Sequence, residues 1–174
     1  MIVVTAGHGG ADPGACANGF VEAQFAVKVR NAVIFYLRSW GVECEGDGMN
    51  ESNLPLTDAI ALAKKGEVAV EIHLNASSNP SAGGIEALSS EPNKKLSQQL
   101  CQAVAGVTKS KVRGDGGWKL ESSGQHRRLG YVRAGGIVLE LEFITNQQLM
   151  KTLDDNFWVV SKAIATVLKN HMEK

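Results

Sequence analysis

Two histidines and two glutamates occupy positions where their types and spacing could serve chemistry. His8 lies just past a short β-branched run, His73 and Glu140 lie within apolar strand-like runs, and Glu22 lies in the first turn of a predicted helix. Inside a sheet that is covered on both faces, an ionisable group is costly unless it is paired or binds a metal. Two imidazoles and one carboxylate form a zinc set of the hydrolase type with a fourth position for water, and a further carboxylate can move protons. The pattern therefore predicts a metal-dependent hydrolase.

Each of these residues also has an ordinary structural explanation. A histidine at a strand end is commonly a hydrogen-bonded structural residue, and a glutamate in a first helical turn is stabilised by the helix dipole. Glu140 is the hardest to explain in this way, because neither the dipole nor solvation applies inside an apolar strand. Of the remaining histidines, His171 is interpreted as a solvated residue of the last helical turn. His126, in a basic run, is also interpreted as solvated, with contact to substrate as the alternative.

Two other kinds of site are excluded by the sequence. The glycine-rich residues 7–14 resemble a phosphate cradle, but Asp12 stands where a dinucleotide fingerprint needs glycine, and the Gly-Lys-Ser/Thr of a P-loop is absent. Cys16, Cys44 and Cys101 are odd in number and form no C-x-x-C pair, which argues against disulfides and a cysteine zinc site. We expect the cysteines to be small core residues.

The elements that must position the site alternate between strands and helices. Strand patterns cover residues 2–4, 42–45, 67–75, 84–88 and 136–143, and helical patterns cover residues 21–40, 55–66, 96–107 and 157–168. Residues 110–130, with five glycines, are predicted to form a long loop of the kind that binds or covers a ligand. The alternation predicts an α/β fold with a mostly parallel central sheet and helices on both faces. Because parallel strand ends meet at one edge, we expect the histidines and glutamates above to face one cleft.

Length and charge narrow the classes of protein further. A chain of 174 residues fits one domain, predicted to span residues 1–174, and 18 basic residues balance 18 acidic ones. A balanced charge gives no general attraction to nucleic acid or anionic lipid, and no obligate protein partner is indicated. The first residues form a strand pattern without the features of a signal peptide, and no apolar run approaches the length of a transmembrane segment. We therefore expect synthesis in the cytoplasm.

Several motifs match one known family in order along nearly the whole chain. They are residues 6–15 (AGHGGADPGA), Glu22, residues 72–76 (IHLNA), residues 83–86 (GGIE) and residues 138–146 (VLELEFITN). With these motifs the chain resembles the zinc-dependent N-acetylmuramoyl-L-alanine amidases of the Amidase_3 type. The resemblance implies a twisted, mostly parallel six-stranded sheet flanked by helices. It also implies that the substrate is peptidoglycan, cut at the amide bond between N-acetylmuramic acid and L-alanine.

The resemblance also implies roles for particular residues. One zinc ion would be bound by His8, Glu22 and His73, and Glu140 would be the catalytic acid and base. Asn75 and Arg133 would help to position the substrate or the site.

Two residues depart from the family pattern. The family usually has a small residue where Glu71 and Glu142 stand. Glu142 leaves open which glutamate moves the proton, and the register of the motif favours Glu140. Glu71 is interpreted either as a carboxylate that orients His73 or as a paired surface acid.

The biological setting and the reaction keep alternatives. Without a recognisable export signal, autoinhibitory helix or wall-binding repeat, the chain is interpreted as a phage or prophage endolysin that accumulates in the host cytoplasm and acts on the cell wall. A mother-cell lytic amidase of a sporulating bacterium fits the same architecture. Two other readings are a zinc peptidase acting on peptidoglycan stem peptides and a catalytically inactive wall-binding module, although four intact site residues argue against loss of activity.

Overall fold

The computed structural model describes residues 1–48, 52–121 and 129–173. Its strands are β1 Ile2–Ala6, β2 Cys16–Ala17, β3 Phe20–Val21, β4 Cys44–Gly46, β5 Val68–Asn75, β6 Glu86–Ser89, β7 Trp118–Leu120 and β8 Ile137–Phe143. Its helices are α1 Glu22–Ser39, α2 Leu56–Ala63, α3 Lys94–Thr108, α4 Gly130–Arg133, α5 Gln147–Asp155 and α6 Phe157–Met172, with a 3-10 turn at Glu91–Asn93.

The central sheet has six strands in the order β4-β1-β5-β8-β6-β7. Neighbouring strands are parallel except for β6 and β8, which pair antiparallel. Strands β2 and β3 form a separate small hairpin immediately before α1. The mostly parallel six-stranded sheet expected from the sequence is confirmed.

Helices cover both faces of this sheet, as expected. On one face, α1, α3, α5 and α6 bury the larger apolar core against strand residues such as Val4, Ile72 and Leu139. On the other face, α2 and α4 cover a smaller core around Val3 and Val138. Because central strands are covered on both sides, they are apolar almost throughout, and every residue of β1 is buried. The polar side chains in these strands are therefore exceptions.

The sequence patterns did not predict the short elements β2, β3 and α4, and they were also wrong for β7 and α5. Residues 110–130 are not one long loop, because Trp118–Leu120 forms β7 and pairs with β6. A three-residue strand among glycines is too short to produce an alternating pattern. Helix α5 was not predicted, since only Met150 and Leu153 of its side chains are buried and the rest of its sequence is largely polar. His126 lies outside the described residues.

Two expectations from composition can also be compared with the fold. Cys101 is buried as expected and Cys44 is partly buried, but Cys16 is exposed because it lies in the short β2 hairpin at the surface.

In the described parts of the chain, no helix combines the length and the apolar character needed to cross a bilayer.

A buried ion pair ties the segment after β4 to the end of β1. Arg30 Nη1 donates to Asp47 Oδ1 at 2.9 Å, and both side chains are fully buried. Asp47 in turn accepts the backbone N–H of Ala6 at 3.2 Å. The side-chain amide of Asn53 donates to the carbonyls of Ala6 and His8. The backbone on both sides of residue 7 is therefore held by Asp47 and Asn53 of the β4–α2 connection, and Arg30 of α1 contacts both of them.

Candidate functional site

Three of the predicted site residues meet at the edge of the sheet where β1 and β5 end. His8 follows β1, His73 lies near the end of β5, and Glu22 is the first residue of α1. One potential metal-ligating atom from each of them lies within 4.8 Å of the other two. His8 Nε2 is 3.1 Å from Glu22 Oε2, and His73 Nδ1 is 3.0 Å from Glu22 Oε1. The prediction that these side chains share one cleft is confirmed.

The glycines of the opening motif make room for this cluster. A Cβ on Gly7 would lie 2.2 Å from the ring of His73, and a Cβ on Gly14 would lie 2.5 Å from His8 Cδ2 and 2.7 Å from Glu22 Oε2. His8 itself has a φ of 64°, an unusual value for a residue with a side chain. Such a backbone persists when its surroundings hold it, and the Asn53 bond to the His8 carbonyl does so here.

Both imidazoles use their second nitrogen to contact another carboxylate. His8 Nδ1 lies 2.9 Å from Asp12 Oδ2, and His73 Nε2 lies 3.1 Å from Glu71 Oε2. Metal-binding histidines commonly donate their other N–H to a carboxylate, which fixes the ring and its tautomer. Glu71 is buried, so it is not a surface acid, and its contact agrees with the orienting interpretation. Asp12 was not singled out for this role, although its position four residues after His8 was a signal.

The carboxylates shift the pKa values of both histidines upward. For His8, the hydrogen bond with Glu22 raises the pKa and outweighs the lowering effect of burial. For His73, burial lowers the pKa, but hydrogen bonds with Glu22 and Glu71 outweigh burial and raise it well above its ordinary value. Burial would raise the pKa of Glu22, yet its contacts with His73 and His8 lower it well below the usual range. In the absence of a cation, Glu22 is thus a carboxylate between two readily protonated imidazoles.

The two glutamates of β8 lie in different environments. Glu140 pairs with His73 in the β5–β8 register, and the register then slips so that Asn75 pairs with Phe143. Past this bulge Phe143, rather than Glu142, lines the cavity together with Glu140. Glu142 is buried and accepts the backbone N–H groups of Gly84 and Phe143. Glu140 therefore faces the cavity, whereas Glu142 does not.

Glu140 has the environment of a proton-transfer group. Burial raises its pKa to about 7, with a further upward contribution from Glu22 and an opposing one from His73. Its Oε2 is buried and has no hydrogen-bond partner within the described residues. A carboxyl whose pKa is near neutrality can both accept and return a proton at physiological pH.

A cavity of about 750 Å³ extends from His8 and Glu22 past His73 and Glu140 along the sheet. Asn75 lines it, and its side-chain amide donates to Glu86 at 3.1 Å. Arg133 does not line it, because this residue is exposed at the end of α4. The role expected for Arg133, in positioning the substrate or the site, therefore stays a prediction.

Besides Asp12, three charged residues that line the cavity were not predicted from the sequence. Glu86 is buried at the start of β6, and its carboxylate pairs with Arg113 and Lys119. Of these three, only Glu86 could have been identified from the sequence, because it belongs to the GGIE motif. Arg113 and Lys119 lie in residues 110–130, which the sequence predicted to be a loop.

The side chains around Glu22 fit a zinc ion. Two imidazoles and one carboxylate within 4.8 Å form a three-ligand set, and the cavity beside them leaves a coordination position open. The contacts of Asp12 and Glu71 supply the outer carboxylates that such histidines usually have.

Several known structures are similar to this chain over nearly its whole length. A crystal structure of a Neisseria meningitidis protein assigned as an N-acetylmuramoyl-L-alanine amidase has 42% identity and a TM-score of 0.92, with 99% of this chain and 95% of that chain covered. The catalytic domain of CwlV, an N-acetylmuramoyl-L-alanine amidase from Bacillus (Paenibacillus) polymyxa var. colistinus, has 22% identity and a TM-score of 0.84, with 99% and 97% covered. The catalytic domain of the CD27L endolysin targeting Clostridia Difficile has 21% identity and a TM-score of 0.74, with 97% and 96% covered.

No match was found among curated protein sequences. The family model described as N-acetylmuramoyl-L-alanine amidase matches residues 2–170, nearly the full length of the chain. The chain therefore belongs to the Amidase_3 family of N-acetylmuramoyl-L-alanine amidases.

Proposed function

We propose that this protein hydrolyses the amide bond between N-acetylmuramic acid and L-alanine of peptidoglycan with the help of one zinc ion. His8, Glu22 and His73 would hold the ion, and Glu140 would move the proton. The observation that carries the proposal is the convergence of these ligand atoms within 4.8 Å, in a cavity that also contains Glu140.

Each residue has a defined task in this reaction. A zinc ion bound at the cluster supplies a Lewis acid that polarises the scissile carbonyl and makes a water molecule more acidic. Asp12 and Glu71 accept the outer N–H groups of His8 and His73, which keeps the inner nitrogens free to bind the ion.

Glu140 performs the proton transfer. Its unpartnered Oε2 accepts the proton of the attacking water and then returns it to the nitrogen of the departing L-alanine. The departing peptide must therefore lie on the Glu140 side of the cluster.

Product analysis tests this proposal directly. Purified protein is incubated with defined peptidoglycan, with and without a chelator, and the products are identified by mass spectrometry. We expect intact stem peptides with a free L-alanine amine and glycan without peptide, and we expect the chelator to abolish both. Cleavage within the stem peptide would identify a zinc peptidase instead, and binding to the wall without any cleavage would identify an inactive binding module.

The endolysin setting predicted from the sequence stays a prediction, because likeness to the endolysin domain at 21% identity concerns the fold alone. We propose a lysis experiment that tests it. Expression in a bacterial host together with a membrane-permeabilising protein should cause lysis, and expression of either protein alone should not. Lysis without the second protein would contradict this setting.

A further inference from the structure

We propose that Arg113 and Lys119 form a subsite that binds a carboxylate on the stem peptide, on the residue that follows L-alanine. This inference rests on the proposed amidase function and names the class of peptidoglycan that the site prefers. Its basis is a cluster of charged groups in the wall of the cavity, beyond Glu140, that the proposed chemistry does not use.

The two cations are held in place by one buried carboxylate. Glu86 is 7% exposed, and its Oε2 accepts from Arg113 Nε and lies 2.7 Å from Lys119 Nζ. The Arg113 guanidinium also lies 4.9 Å from the ring centre of Phe143. Charged side chains that are fixed before a ligand arrives lose less entropy on binding it. The pair is therefore a prepared site rather than two freely moving surface cations.

The charge balance of this cluster favours an anion. One carboxylate lies between two cations, and its other oxygen accepts a neutral amide from Asn75. One positive charge is thus in excess. Among the described residues, Arg113 and Lys119 are also the only lysine and arginine that line the cavity, whose opposite end holds Glu22, Glu71 and Asp12. An anionic group entering the cavity is attracted to the Arg113–Lys119 wall.

The strand register shows on which side of the scissile bond this wall lies. Across the sheet, His73 pairs with Glu140, and Glu140 pairs with Glu86. The cations that contact Glu86 are therefore on the far side of Glu140 from the metal-binding cluster. Since Glu140 returns its proton to the departing nitrogen, the departing peptide extends towards Arg113 and Lys119.

The length of an extended peptide then indicates which residue of the stem peptide reaches the two cations. Neighbouring strands are about 4.8 Å apart, so the Glu86 carboxylate lies roughly one strand spacing beyond Glu140. An extended residue spans about 3.3–3.6 Å, so a carboxylate on the residue after L-alanine reaches the cations. Peptidoglycans carry either a free carboxylate or a carboxamide at this position. The subsite therefore distinguishes the acid form of the stem peptide from the amidated form.

The test compares two substrates that differ in this one group. They are N-acetylmuramoyl-L-alanyl-D-isoglutamyl-L-lysine and the same molecule with D-isoglutamine as its second residue. For the zinc-loaded wild-type protein we expect kcat/KM to be at least about tenfold higher for the acid, as for a charge-assisted hydrogen bond. We expect this preference to fall as the salt concentration rises.

Variants then assign the preference to the two cations. Arg113→Gln and Lys119→Gln should each lower the acid-to-amide ratio, mainly through KM for the acid. Lys111→Gln is the matched control, because Lys111 is exposed and does not line the cavity. It should leave the ratio unchanged.

The outcomes separate this inference from the proposed function. Equal cleavage of both substrates by the wild-type protein, or a ratio that survives both substitutions, overturns the subsite alone. Failure to cleave either substrate overturns the amidase proposal and the subsite with it. If Arg113→Gln unfolds because Glu86 loses a partner, the wild-type ratio and Lys119→Gln still decide.

Discussion

Each imidazole of the candidate metal site lies between two carboxylates. His73 contacts Glu22 and Glu71, and His8 contacts Glu22 and Asp12. With no cation present, this arrangement stabilises the protonated rings, whereas metal binding requires an unprotonated nitrogen. Protons and the metal ion therefore compete for the same atoms.

This competition predicts a pH dependence of stability and metal binding. Because the pKa values of His8 and His73 are raised, their stabilising effect in the metal-free protein is complete below about pH 6.5 and is lost as pH rises through the raised values. The lowered pKa of Glu22 has the opposite sign, so its contribution persists above about pH 4.5 and is lost only in acid.

We expect Tm of the metal-free protein to fall as pH rises above about 6.5 through the raised pKa values of the two histidines, and the gain in Tm on adding zinc to increase over the same range. Thermal melts with and without zinc measure both effects. His171→Gln, a change at an exposed residue of α6, should behave like wild type. A zinc-induced gain that does not vary with pH would contradict this account.

Glu140→Gln should remove proton transfer while leaving the metal site intact. We expect kcat to fall by about 10²–10⁴-fold, the usual contribution of a general acid or base, with zinc content unchanged. Since burial raises the pKa of Glu140 to about 7, the wild-type rate should rise with pH near neutrality as the carboxylate forms, and the variant should lose this dependence. A bound cation would move that rise to lower pH.

Glu142→Gln is the matched variant, because Glu142 is in the same strand but contacts backbone amides instead of the cavity. We expect it to lower stability and to keep kcat. Muropeptide products and metal content are measured for both variants. A folded, zinc-bound Glu142→Gln protein without activity would reverse the assignment of the proton shuttle.

At the scale of elements, the loop after β1 must bring its backbone close to the side chains of the site. Gly14 and Gly10 both have left-handed backbone, with φ of 65° and 60°. A Cβ at Gly14 would strike His8 and Glu22, whereas a Cβ at Gly10 would meet nothing within 4 Å. Comparing alanine substitutions at these two glycines therefore distinguishes the effect of the left-handed backbone, which both share, from the effect of a steric clash, which occurs only at Gly14.

Gly14→Ala should lower zinc affinity by about 10-fold or more, because the new methyl group displaces two ligands. Gly10→Ala carries the same backbone penalty, about 1–2 kcal/mol, and should keep the affinity of wild type. Competition with a chelator measures the affinity, and urea unfolding measures the stability. Equal zinc affinity of the two variants would contradict the account in which a steric clash at Gly14 displaces the ligands.

Sequence patterns predicted those elements whose side chains are buried at regular spacing. Helix α1 shows this, since Phe25, Val29 and Val33 are all in the core. His8, His73 and Glu140 were also identifiable, because polar groups are exceptional in or next to apolar strands, whereas Glu22 in a first helical turn had an ordinary explanation. The direction and register of the strands could not be predicted from the sequence. The antiparallel β6 and the bulge in β8, which bring Glu86 to the site and turn Glu142 away, depend on tertiary pairing.

At the scale of the whole molecule, the cavity is lined mainly from the side of the smaller core, although Leu74 of the larger core also contributes. Val138 and Leu88 line the cavity and belong to the smaller core, whereas α6 packs in the larger core with α1 and α3. Changes within the larger core should therefore affect stability more than the chemistry of the site.

Ile164→Ala tests this separation, since Ile164 of α6 is completely buried. We expect the free energy of unfolding to fall by about 2–5 kcal/mol, through lost burial and the cavity left behind. Zinc affinity and kcat should be unchanged at temperatures where the variant is folded. Val159→Ala, at a residue of the same helix that is 54% exposed, should change stability by less than about 0.5 kcal/mol. Loss of zinc binding in folded Ile164→Ala would contradict the separation.

The Arg30–Asp47 pair connects the candidate metal site to backbone that lies outside it. Asp47 accepts the N–H of Ala6, and Asn53 accepts from Arg30 while donating to the carbonyl of His8. If the hydrogen bonds of Asn53 strengthen ion binding at His8, ion binding strengthens those hydrogen bonds by the same free energy, because linkage between two sites is reciprocal. The backbone N–H of Leu54 donates to the carbonyl of Asp47 at 2.9 Å. Loading the ion should thus slow hydrogen exchange at the backbone amides of Ala6 and Leu54, although neither residue is a candidate metal ligand. Conversely, Asn53→Ala should weaken ion affinity from outside the coordination sphere.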